Sequence, residues 1–480
     1  MRHHDLVVIG AGSGNAVVDD SFAGLDVAIV EERWFGGTCL NAGCIPSKMF
    51  AHTAHVARTV REAGAFDVVG GPGTVHWPEA RDRVFGRLDA AREDGRRGRV
   101  EAKSVTVYEG RARFTGPRRL RIETGGEVVE VDAAQIVVAA GGRPVVPPVV
   151  RDSGLPYETS DTVMRIGTAP RHLAVLGGGY VAAELAEVFA AAGSLVTVVE
   201  KEERLLGPQD ETVAERFTEL AGERYDLRLG RELTGLDGAP GRLRLTLDDG
   251  STVAADMLLV AVGRTPNGDR LDLEAAGIHT HEDGRIVVDR HQRTSVEGVF
   301  ALGDVCSPVP LKHVANREAR VVAHNLRHPG SPISCDHERV PAAVFTRPQI
   351  ASVGLTEQDC RDRGLTYRVG TAEYADIAYG WAMEDTTGFC KVLADPANGR
   401  LLGAHLMGPQ APSLIQPLVM ALEFDIDARA LASTPYWIHP ALTEIVENAL
   451  LDLDLDGDPD GGADGDANGN TDAAPGLDSA

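Results

Sequence analysis

Two separate stretches of this 480-residue chain share one pattern, and this repeat limits the folds that the chain can adopt. Each stretch starts with a short apolar run, continues through closely spaced glycines, and ends in a second apolar run that closes with an acidic residue. The first extends from Asp5 to Glu31 and the second, about 165 residues later, from Leu173 to Glu200. Strand, glycine turn, helix and second strand are the units of a parallel α/β sheet. The repeat therefore predicts two α/β domains of one type.

The glycines and the final acid of each stretch have a chemical use. Glycines let the backbone approach a diphosphate group at a helix N-terminus, and an acid about 20 residues later accepts hydrogen bonds from ribose hydroxyls. In the first stretch Asn15 stands where the fingerprint usually has its third glycine, so this copy alone is a weak signal. Two unrelated glycine turns in one sheet are the alternative, but the repeat favours two dinucleotide sites.

A third feature is a pair of cysteines, Cys39 and Cys44, in the glycine-rich segment Gly36–Lys48. In a regular helix, residues five positions apart are separated by a rise of ~7.5 Å. A disulfide requires Cα atoms within roughly 7 Å, so a bonded pair needs an irregular backbone, which the glycines allow. We expect a helix to begin just after Pro46, and a helix N-terminus favours a thiolate. Two unrelated buried cysteines are the alternative, and the surrounding sequence favours a redox pair.

The segment Gly36–Lys48 resembles the redox-active disulfide segment of the pyridine nucleotide–disulfide oxidoreductases, the family that contains glutathione reductase and dihydrolipoamide dehydrogenase. The resemblance extends from Asp5 to Leu451. It implies an α/β fold with two Rossmann-like dinucleotide-binding domains, for FAD and NAD(P)H, and a C-terminal α+β dimerisation domain. It also implies an FAD-dependent enzyme that reduces a small-molecule disulfide with NAD(P)H and works as a homodimer.

The resemblance, together with prolines at 144, 147 and 148, sets the expected domain bounds. Residues 1–150 and 271–340 are the two parts of the FAD-binding domain, 151–270 the NAD(P)H-binding domain and 341–451 the dimerisation domain. Within them, 50–100 are expected to be helical and 104–132 to form a small antiparallel sheet. Residues 452–480 are expected to be a disordered acidic tail. The start of this tail mimics a calcium-binding loop, but Ala463 stands where the loop needs Glu, so calcium binding is rejected.

The same resemblance assigns the catalytic residues. Cys39 attacks the substrate disulfide, while Cys44 interacts with the flavin and later resolves the mixed disulfide. His439, expected at the entrance of a helix over 441–450 and supplied by the partner subunit, keeps Cys39 as thiolate and protonates the departing thiol. Glu444 orients His439. Lys48 and Glu184 form an ion pair near the flavin.

The cofactor-binding residues come from several segments that match the family's motifs. Tyr180 and Glu184 lie one helical turn apart, and the family has the Tyr position covering the nicotinamide pocket. The full set assigned to the two cofactors is Gly10, Gly12, Ser13, Gly14, Glu31, Gly37, Thr38, Lys48, Ala140, Gly141, Gly177, Gly179, Tyr180, Val181, Glu184, Glu200, Gly263, Gly303 and Asp304.

The choice between NADH and NADPH depends on the end of the second stretch. A carboxylate at Glu200 accepts both ribose hydroxyls and repels a 2′-phosphate. Lys201 and Gly207 fill the two positions where NADPH-dependent members have arginines. We therefore expect a preference for NADH. The alternative is dual use with an NADPH bias, because Lys201 and Arg204 can still contact a phosphate.

Composition excludes several other classes. A net charge of −24 argues against binding to nucleic acid or to an anionic membrane surface. The chain shows no secretory signal and no apolar run of ~18 residues, so a cytoplasmic location is expected. The other four cysteines lack metal-ligand spacing, and no metal is expected. The open alternatives are a dihydrolipoamide dehydrogenase or another low-molecular-weight disulfide reductase, and, more remotely, a non-catalytic flavoprotein subunit or NAD(H) sensor.

Overall fold

The computed structural model describes residues 1–455. Its helices are α1 (Gly37–Asn41), α2 (Cys44–Glu62), α3 (Trp77–Glu101), α4 (Pro148–Arg151), α5 (Tyr180–Ala191), α6 (Glu211–Gly222), α7 (Leu273–Ala276), α8 (Lys312–Arg327), α9 (Glu357–Asp362), α10 (Ala378–Met383), α11 (Ala411–Leu414), α12 (Gln416–Glu423), α13 (Ala428–Ser433) and α14 (Glu444–Leu451). No helix in this part of the chain is both long enough and apolar enough to cross a membrane.

The first sheet contains the first stretch of the repeat. Its strands are β1 (Arg2–Ile9), β2 (Val27–Glu31), β3 (Val105–Gly116), β4 (Arg119–Thr124), β5 (Glu127–Val138) and β16 (Val299–Ala301). Strand β1 lies between β2 and β5 in parallel register, and β16 returns to pair with β5. Leu6 and Val8 face one hydrophobic core while Val7 and Ile9 face another. Burial on both faces explains the unbroken apolar run, as is usual for parallel sheets.

Strands β3 and β5 of this sheet are long, so that β3 pairs with both β2 and β4, and β5 pairs with β1, β16 and β4. Strand β4 pairs with both of them in antiparallel register, so that Gly110 of β3 lies opposite Thr124 and Asp132 of β5 lies opposite Arg119. The small antiparallel sheet predicted for 104–132 is therefore confirmed. It is continuous with the parallel sheet.

The second sheet repeats the parallel arrangement. Its order is β10 (Asp226–Arg228), β9 (Leu195–Val199), β8 (His172–Leu176), β14 (Met257–Val260) and β7 (Glu158–Thr159). Every neighbouring pair is parallel. Beside it lie the antiparallel strands β11 (Leu233–Ala239), β12 (Arg242–Leu247) and β13 (Thr252–Ala255), and a two-stranded link joins β6 (Gly142–Pro144) to β15 (Arg264–Pro266). The two α/β units predicted from the repeat are thus present.

The C-terminal part contains an antiparallel sheet covered by helices. The sheet order is β17 (Ala342–Val344), β18 (Ile350–Gly354), β21 (Leu401–Met407), β20 (Phe389–Ala394) and β19 (Arg368–Glu373). Its core joins apolar side chains of β18, β20 and β21 to those of α12, α13 and α14. This matches the α+β architecture expected there, and the exact domain bounds stay a prediction.

The first glycine turn differs from the expected strand–turn–helix. Only a four-residue 3₁₀ helix, Ser13–Ala16, follows it. The guanidinium of Arg99, from the end of α3, donates to the backbone oxygens of Asn15 and Val18 at 2.8 Å each. These oxygens are the ones that a continuing helix would use. Asp19 then caps a separate short turn by accepting the Ser21 N–H at 2.9 Å.

Two other predicted helix starts are wrong by a few residues. The helix expected just after Pro46 already begins at Cys44, because proline is tolerated anywhere in the first turn, where its missing N–H is not needed. The helix expected from Ala441 begins only at Glu444. There the Glu444 carboxylate accepts the Ala441 N–H at 3.1 Å and so ends the preceding loop.

The predicted tail also starts too early. The Asp452 carboxylate accepts the Thr371 N–H at 2.8 Å, and Leu453 is only 1% exposed in the C-terminal core. Residues 452–455 therefore belong to the fold. The remainder of the predicted tail, 456–480, including the rejected calcium-loop position Ala463, lies outside the described residues.

Candidate active site

The two redox cysteines lie on either side of a break between two helices. Cys39 is in α1, Cys44 is the first residue of α2, and Ala42 and Gly43 between them have non-helical backbone angles. This is the irregular backbone that the spacing required. The two cysteines are not bonded to each other in the structure.

The two thiols have opposite acidities. The Cys39 S–H donates a hydrogen bond to the Cys44 sulfur, and this bond, with burial, raises the Cys39 pKa well above its usual value. The same bond, helped by the Lys48 ammonium, lowers the pKa of Cys44 to about 7. Cys44 also lies at a helix N-terminus, which favours negative charge. Between the two thiols the lower pKa therefore belongs to Cys44.

Lys48 lies one turn after Cys44 and forms the predicted ion pair. Its ammonium donates to both oxygens of Glu184, at 2.8 and 2.7 Å. Glu184 is buried, with a side chain only 5% exposed, and it also accepts the backbone N–H of Phe345 at 3.0 Å. This carboxylate thus joins α2, α5 and the strand region of the C-terminal sheet.

Most of the residues predicted to bind the flavin line one large cavity. It is lined by Gly10, Gly12, Ser13, Glu31, Gly37, Thr38, Cys39, Cys44, Lys48, Ala140, Gly141, Tyr180, Val181, Glu184, Gly303 and Asp304. Gly14 is not among the lining residues. A Cβ there would lie 2.7 Å from the Ala139 side chain, so Gly14 allows close packing of the turn on the sheet.

The residues of this cavity fit a dinucleotide. Gly37 has a positive φ of 60°, and a Cβ on it would lie 2.7 Å from the Gly12 Cα, so two bare backbones meet at the cavity wall. Burial raises the pKa of the Asp304 carboxyl, which lines the cavity and has Arg264 3.7 Å away. A carboxylate held there suits a ligand's hydroxyl groups.

A second cavity contains the predicted nicotinamide residues. Gly177, Gly179, Tyr180, Val181, Glu200 and Gly263 line it. Tyr180 and Val181 line both cavities, so they form a shared wall between the two sites. This position agrees with the expected role of the Tyr side chain.

The final acids of the two stretches make equivalent contacts. The Glu31 carboxylate accepts the N–H of Ala11 in the first glycine turn at 2.7 Å. The Glu200 carboxylate accepts the N–H of Gly178 in the second turn, and that of Glu202 at 3.0 Å. Burial raises the pKa of Glu31. Each acid therefore holds the glycine turn of its own unit and lies where a ribose is expected.

The cations near Glu200 are already paired. Arg204 does not line the second cavity and lies 3.2 Å from Glu215. Lys201 lines it and lies 3.3 Å from Glu202. Arg231, which the sequence analysis missed, also lines it but pairs with Asp249 at 2.9 Å.

His439 and Glu444 form the expected pair away from these cavities. The His439 Nδ1 donates to Glu444 Oε1 at 2.6 Å, and this bond lowers the Glu444 pKa. The His439 side chain is 70% exposed, and it is not among the residues lining either cavity of its own chain. The described chain thus brings the cysteines and the Lys48–Glu184 pair together but leaves the histidine on the surface.

Sequence reasoning missed two further residues at the first cavity. Lys312, the first residue of α8, lines it and donates to Ser13 Oγ at 2.8 Å. Arg264 lines it and donates to the Gly142 oxygen at 2.6 Å. Because lysine is rare in this chain, the sequence alone could have indicated Lys312 as a candidate site residue. Among residues 1–455, no group of three or more His, Cys, Asp or Glu side chains is placed to hold a metal.

Comparison with known proteins identifies the family. The model of the pyridine nucleotide-disulphide oxidoreductases matches residues 4–319, and the model of the family's dimerisation domain matches residues 340–450. The chain belongs to the pyridine nucleotide-disulphide oxidoreductase family. The predicted family and fold class are confirmed.

Two curated members of this family illustrate the range of similarity. Mycothione reductase of Mycobacterium tuberculosis is 50% identical over 94% of this chain and 100% of its own length. Dihydrolipoyl dehydrogenase of Haloferax volcanii is 36% identical over 93% of this chain and 96% of its own. This oxidoreductase is therefore an FAD-dependent disulfide reductase, and the predicted enzyme class and cofactors, FAD and NAD(P)H, are confirmed.

Solved structures of the family agree. The copper(II) complex of RclA, an HOCl-induced flavoprotein disulfide reductase from Escherichia coli, has a TM-score of 0.84 and 27% identity, over 94% of this chain and 99% of its own. LpdA from M. tuberculosis has a TM-score of 0.82 and 26% identity, again over 94% and 99%. The dimerisation domain and these relatives support a homodimer that acts on a small-molecule disulfide.

Proposed function

We propose that this oxidoreductase is a mycothione reductase, which converts one mycothiol disulfide and NAD(P)H into two mycothiols. The observation that carries the proposal is the 50% identity to mycothione reductase of M. tuberculosis over the whole of that protein. Segments outside the cysteine motif agree, since the glycine turn with Asn15 and the run that begins at Leu311 resemble mycothione reductases more than their relatives. A cytoplasmic location and the domain bounds given above are part of the same proposal.

The two cysteines divide the disulfide chemistry. When bound, the flavin and nicotinamide supply one hydride, which reduces the Cys39–Cys44 disulfide to a thiol and a thiolate. The Cys39 thiolate attacks one sulfur of the substrate, forming a mixed disulfide and releasing the first thiolate, which takes up the proton that the Cys44 thiol gives up. The Cys44 thiolate then attacks the Cys39 sulfur, which reforms the protein disulfide and releases the second thiolate, which takes up a proton from solvent. The lowered pKa of Cys44 suits it for this resolving step.

The acid–base role falls to His439 of the partner subunit. Glu444 holds the Nδ1–H of His439, so that Nε2 is left to exchange protons with the departing thiol. The exposure of His439 supports this assignment, because an exposed imidazole on the dimerisation domain can enter the cleft of a second copy.

The remaining residues position the reacting groups. Lys48, fixed by Glu184, keeps a positive charge beside Cys44. Tyr180, which lines both cavities, would lie between the two bound dinucleotides, and Asp304 would accept hydrogen bonds from hydroxyl groups of the flavin. The paired cations around Glu200 support a preference for NADH over NADPH.

A substrate panel tests the proposal. The purified enzyme is assayed with mycothione, glutathione disulfide and lipoamide, with Cys39→Ser as the control for background reduction. The proposal requires the highest kcat/KM with mycothione and no turnover by the variant. A preference for lipoamide would instead support a dihydrolipoamide dehydrogenase, which the 36% identity to the H. volcanii enzyme makes the second candidate.

A further inference from the structure

A buried acid, Glu318, lies behind the turn that carries Asp304. Glu318 belongs to α8, and its side chain is only 1% exposed. One carboxylate oxygen, Oε2, accepts the backbone N–H of Gly303 at 2.6 Å. The other, Oε1, accepts a hydrogen bond from His337 Nε2 at 2.8 Å. Burying a carboxylate is costly even when it is paired, and the sequence analysis assigned neither Glu318 nor His337 to a site.

The Gly303 N–H lies just beyond the end of a sheet strand. Leu302 still donates its N–H to Val138 of β5 at 3.0 Å. Gly303 comes next and has a positive φ of 73°, so the chain turns away from the strand there. The Gly303 oxygen accepts the Cys306 N–H at 2.9 Å, which closes the turn. The Gly303 N–H is met by Glu318, a side chain of α8, and this contact ties the turn to the helix.

The turn and the acid–histidine pair lie between two cavities. Gly303 and Asp304 line the first cavity, which contains the residues predicted to bind the flavin. Glu318 and His337 line a third, smaller cavity, where the His337 side chain is 21% exposed. Asp304 directly follows Gly303, so the position of its carboxyl group depends on the turn. A displacement of Glu318 would therefore be passed on to Asp304 through the Gly303 N–H.

The Glu318 charge does not itself help Asp304. Burial raises the pKa of the Asp304 carboxyl, the Arg264 charge lowers it, and the Glu318 charge raises it again. A carboxylate is nevertheless a strong acceptor for a backbone N–H. Since His337 holds the second oxygen of Glu318, the first stays directed at Gly303. The contribution of Glu318 is therefore the hydrogen bond that holds the turn.

We propose that Glu318, held by His337, is a positioning residue for the flavin, because it fixes the Gly303–Asp304 turn in the geometry that binds hydroxyl groups of the cofactor. Glu318 and His337 act through the turn and not by touching the cofactor. The use of FAD is a property of the family, so the inference holds whichever disulfide the enzyme reduces.

The experiment measures the FAD dissociation constant of the full-length enzyme. The FAD-loaded protein is diluted, and free FAD is separated by ultrafiltration and quantified by its fluorescence. Glu318→Ala leaves the Gly303 N–H without its acceptor, so the turn has to be ordered when FAD binds. We expect the Kd to rise roughly 10- to 100-fold, the equivalent of one charge-assisted hydrogen bond. Glu318→Gln keeps an acceptor for Gly303 and should stay within about fivefold of the parent.

Glu338 provides a matched control. It is exposed and directly follows His337, so Glu338→Ala removes an acid from the same segment and should leave the Kd unchanged. His337→Phe keeps a ring but removes the donor to Glu318, and the Kd should rise roughly three- to tenfold. The visible circular dichroism of the bound flavin reports its surroundings. It should change in Glu318→Ala but not in Glu318→Gln or Glu338→Ala.

The inference is overturned if Glu318→Ala and Glu338→Ala have the same Kd, or if Glu318→Gln weakens FAD binding as much as Glu318→Ala does. It is also overturned if Glu318→Ala lowers the melting temperature with Kd and dichroism unchanged, because Glu318 would then serve the fold alone. Should Glu318→Ala not fold, His337→Phe takes its place, and a Kd equal to that of Glu338→Ala would be the refuting result. Since no disulfide substrate is present, failure here is separate from failure of the proposed function.

Discussion

Replacing Lys48 and replacing Glu184, which contact each other, should shift the Cys44 pKa in opposite directions. Lys48 lies one turn after Cys44, and its charge lowers the Cys44 pKa. A unit charge about 6 Å from a sulfur contributes about 3 kcal/mol, or about 2 pKa units, at an effective dielectric constant near 20. The Lys48 side chain is 34% exposed, and solvent screening reduces this to about 1 unit. Lys48→Met should therefore raise the Cys44 pKa from about 7 by about 1 unit.

Glu184→Gln should act in the other direction. The Glu184 carboxylate raises the Cys44 pKa, so removing its charge while keeping an acceptor for Lys48 should lower that pKa further. The double variant should lie between Lys48→Met and the parent, because the Lys48 charge acts on Cys44 more strongly than the Glu184 charge does.

Alkylation of Cys44 by iodoacetamide across pH 5 to 9 measures these shifts. The Cys39→Ser background leaves one thiol and keeps a hydroxyl donor in place of the Cys39 S–H. Reactivity should rise through pH 7 in the parent, since the thiolate is present above its pKa. Shifts of the same sign for Lys48→Met and Glu184→Gln, or none for either, would refute the electrostatic reasoning.

Four other predictions concern turnover, coenzyme choice and stability. Cys39→Ser should abolish disulfide reduction yet keep bound FAD and hydride uptake in stopped-flow experiments, and near-normal turnover would contradict the role of Cys39. His439→Ala should slow the disulfide half-reaction roughly 10²–10⁴-fold with flavin reduction unchanged, whereas equal losses in both would indicate damage to the fold or the dimer. The parent should have the higher kcat/KM with NADH, and Glu200→Ala should raise the NADPH/NADH ratio of kcat/KM; a strong NADPH advantage in the parent would show the Glu200 argument to be wrong. Truncation after Leu455 should leave the melting temperature unchanged. Truncation after Leu451 removes the buried Leu453, so it should lower the free energy of unfolding by about 2–5 kcal/mol and lower the melting temperature. Equal melting temperatures of the two truncated forms would show that Leu453 adds no stability.

The sequence was most informative where a chemical requirement fixes spacing. The repeat predicted both parallel sheets, because the glycine turn and the final acid must meet the same ligand. The pairing of Lys48 with Glu184 followed only from the family resemblance, since 136 residues separate the two. The irregular backbone between Cys39 and Cys44 followed from the geometry of a disulfide.

The parts that the sequence did not predict depend on contacts between distant residues. The missing helix after the first glycine turn results from Arg99, which binds the turn from the far end of α3. The start of α14 depends on a side-chain contact of Glu444 with Ala441, which no periodicity records. The lower pKa of Cys44 depends on a hydrogen bond between the two cysteines, and sequence spacing does not reveal the direction of that bond.

The contacts of Glu184 have a consequence for protein engineering. One carboxylate binds Lys48 from the redox helix and the backbone of Phe345 from the C-terminal sheet. In a chimera whose nicotinamide-binding part comes from a relative, the helix that replaces α5 therefore has to pack against α2 and the C-terminal sheet of this chain. Such an exchange should preserve the site only when the donor helix carries an acid at the position of Glu184 and packs at the same distance from α2. Residues 48, 184 and 345 should therefore come from the same parent sequence when parts of these enzymes are recombined.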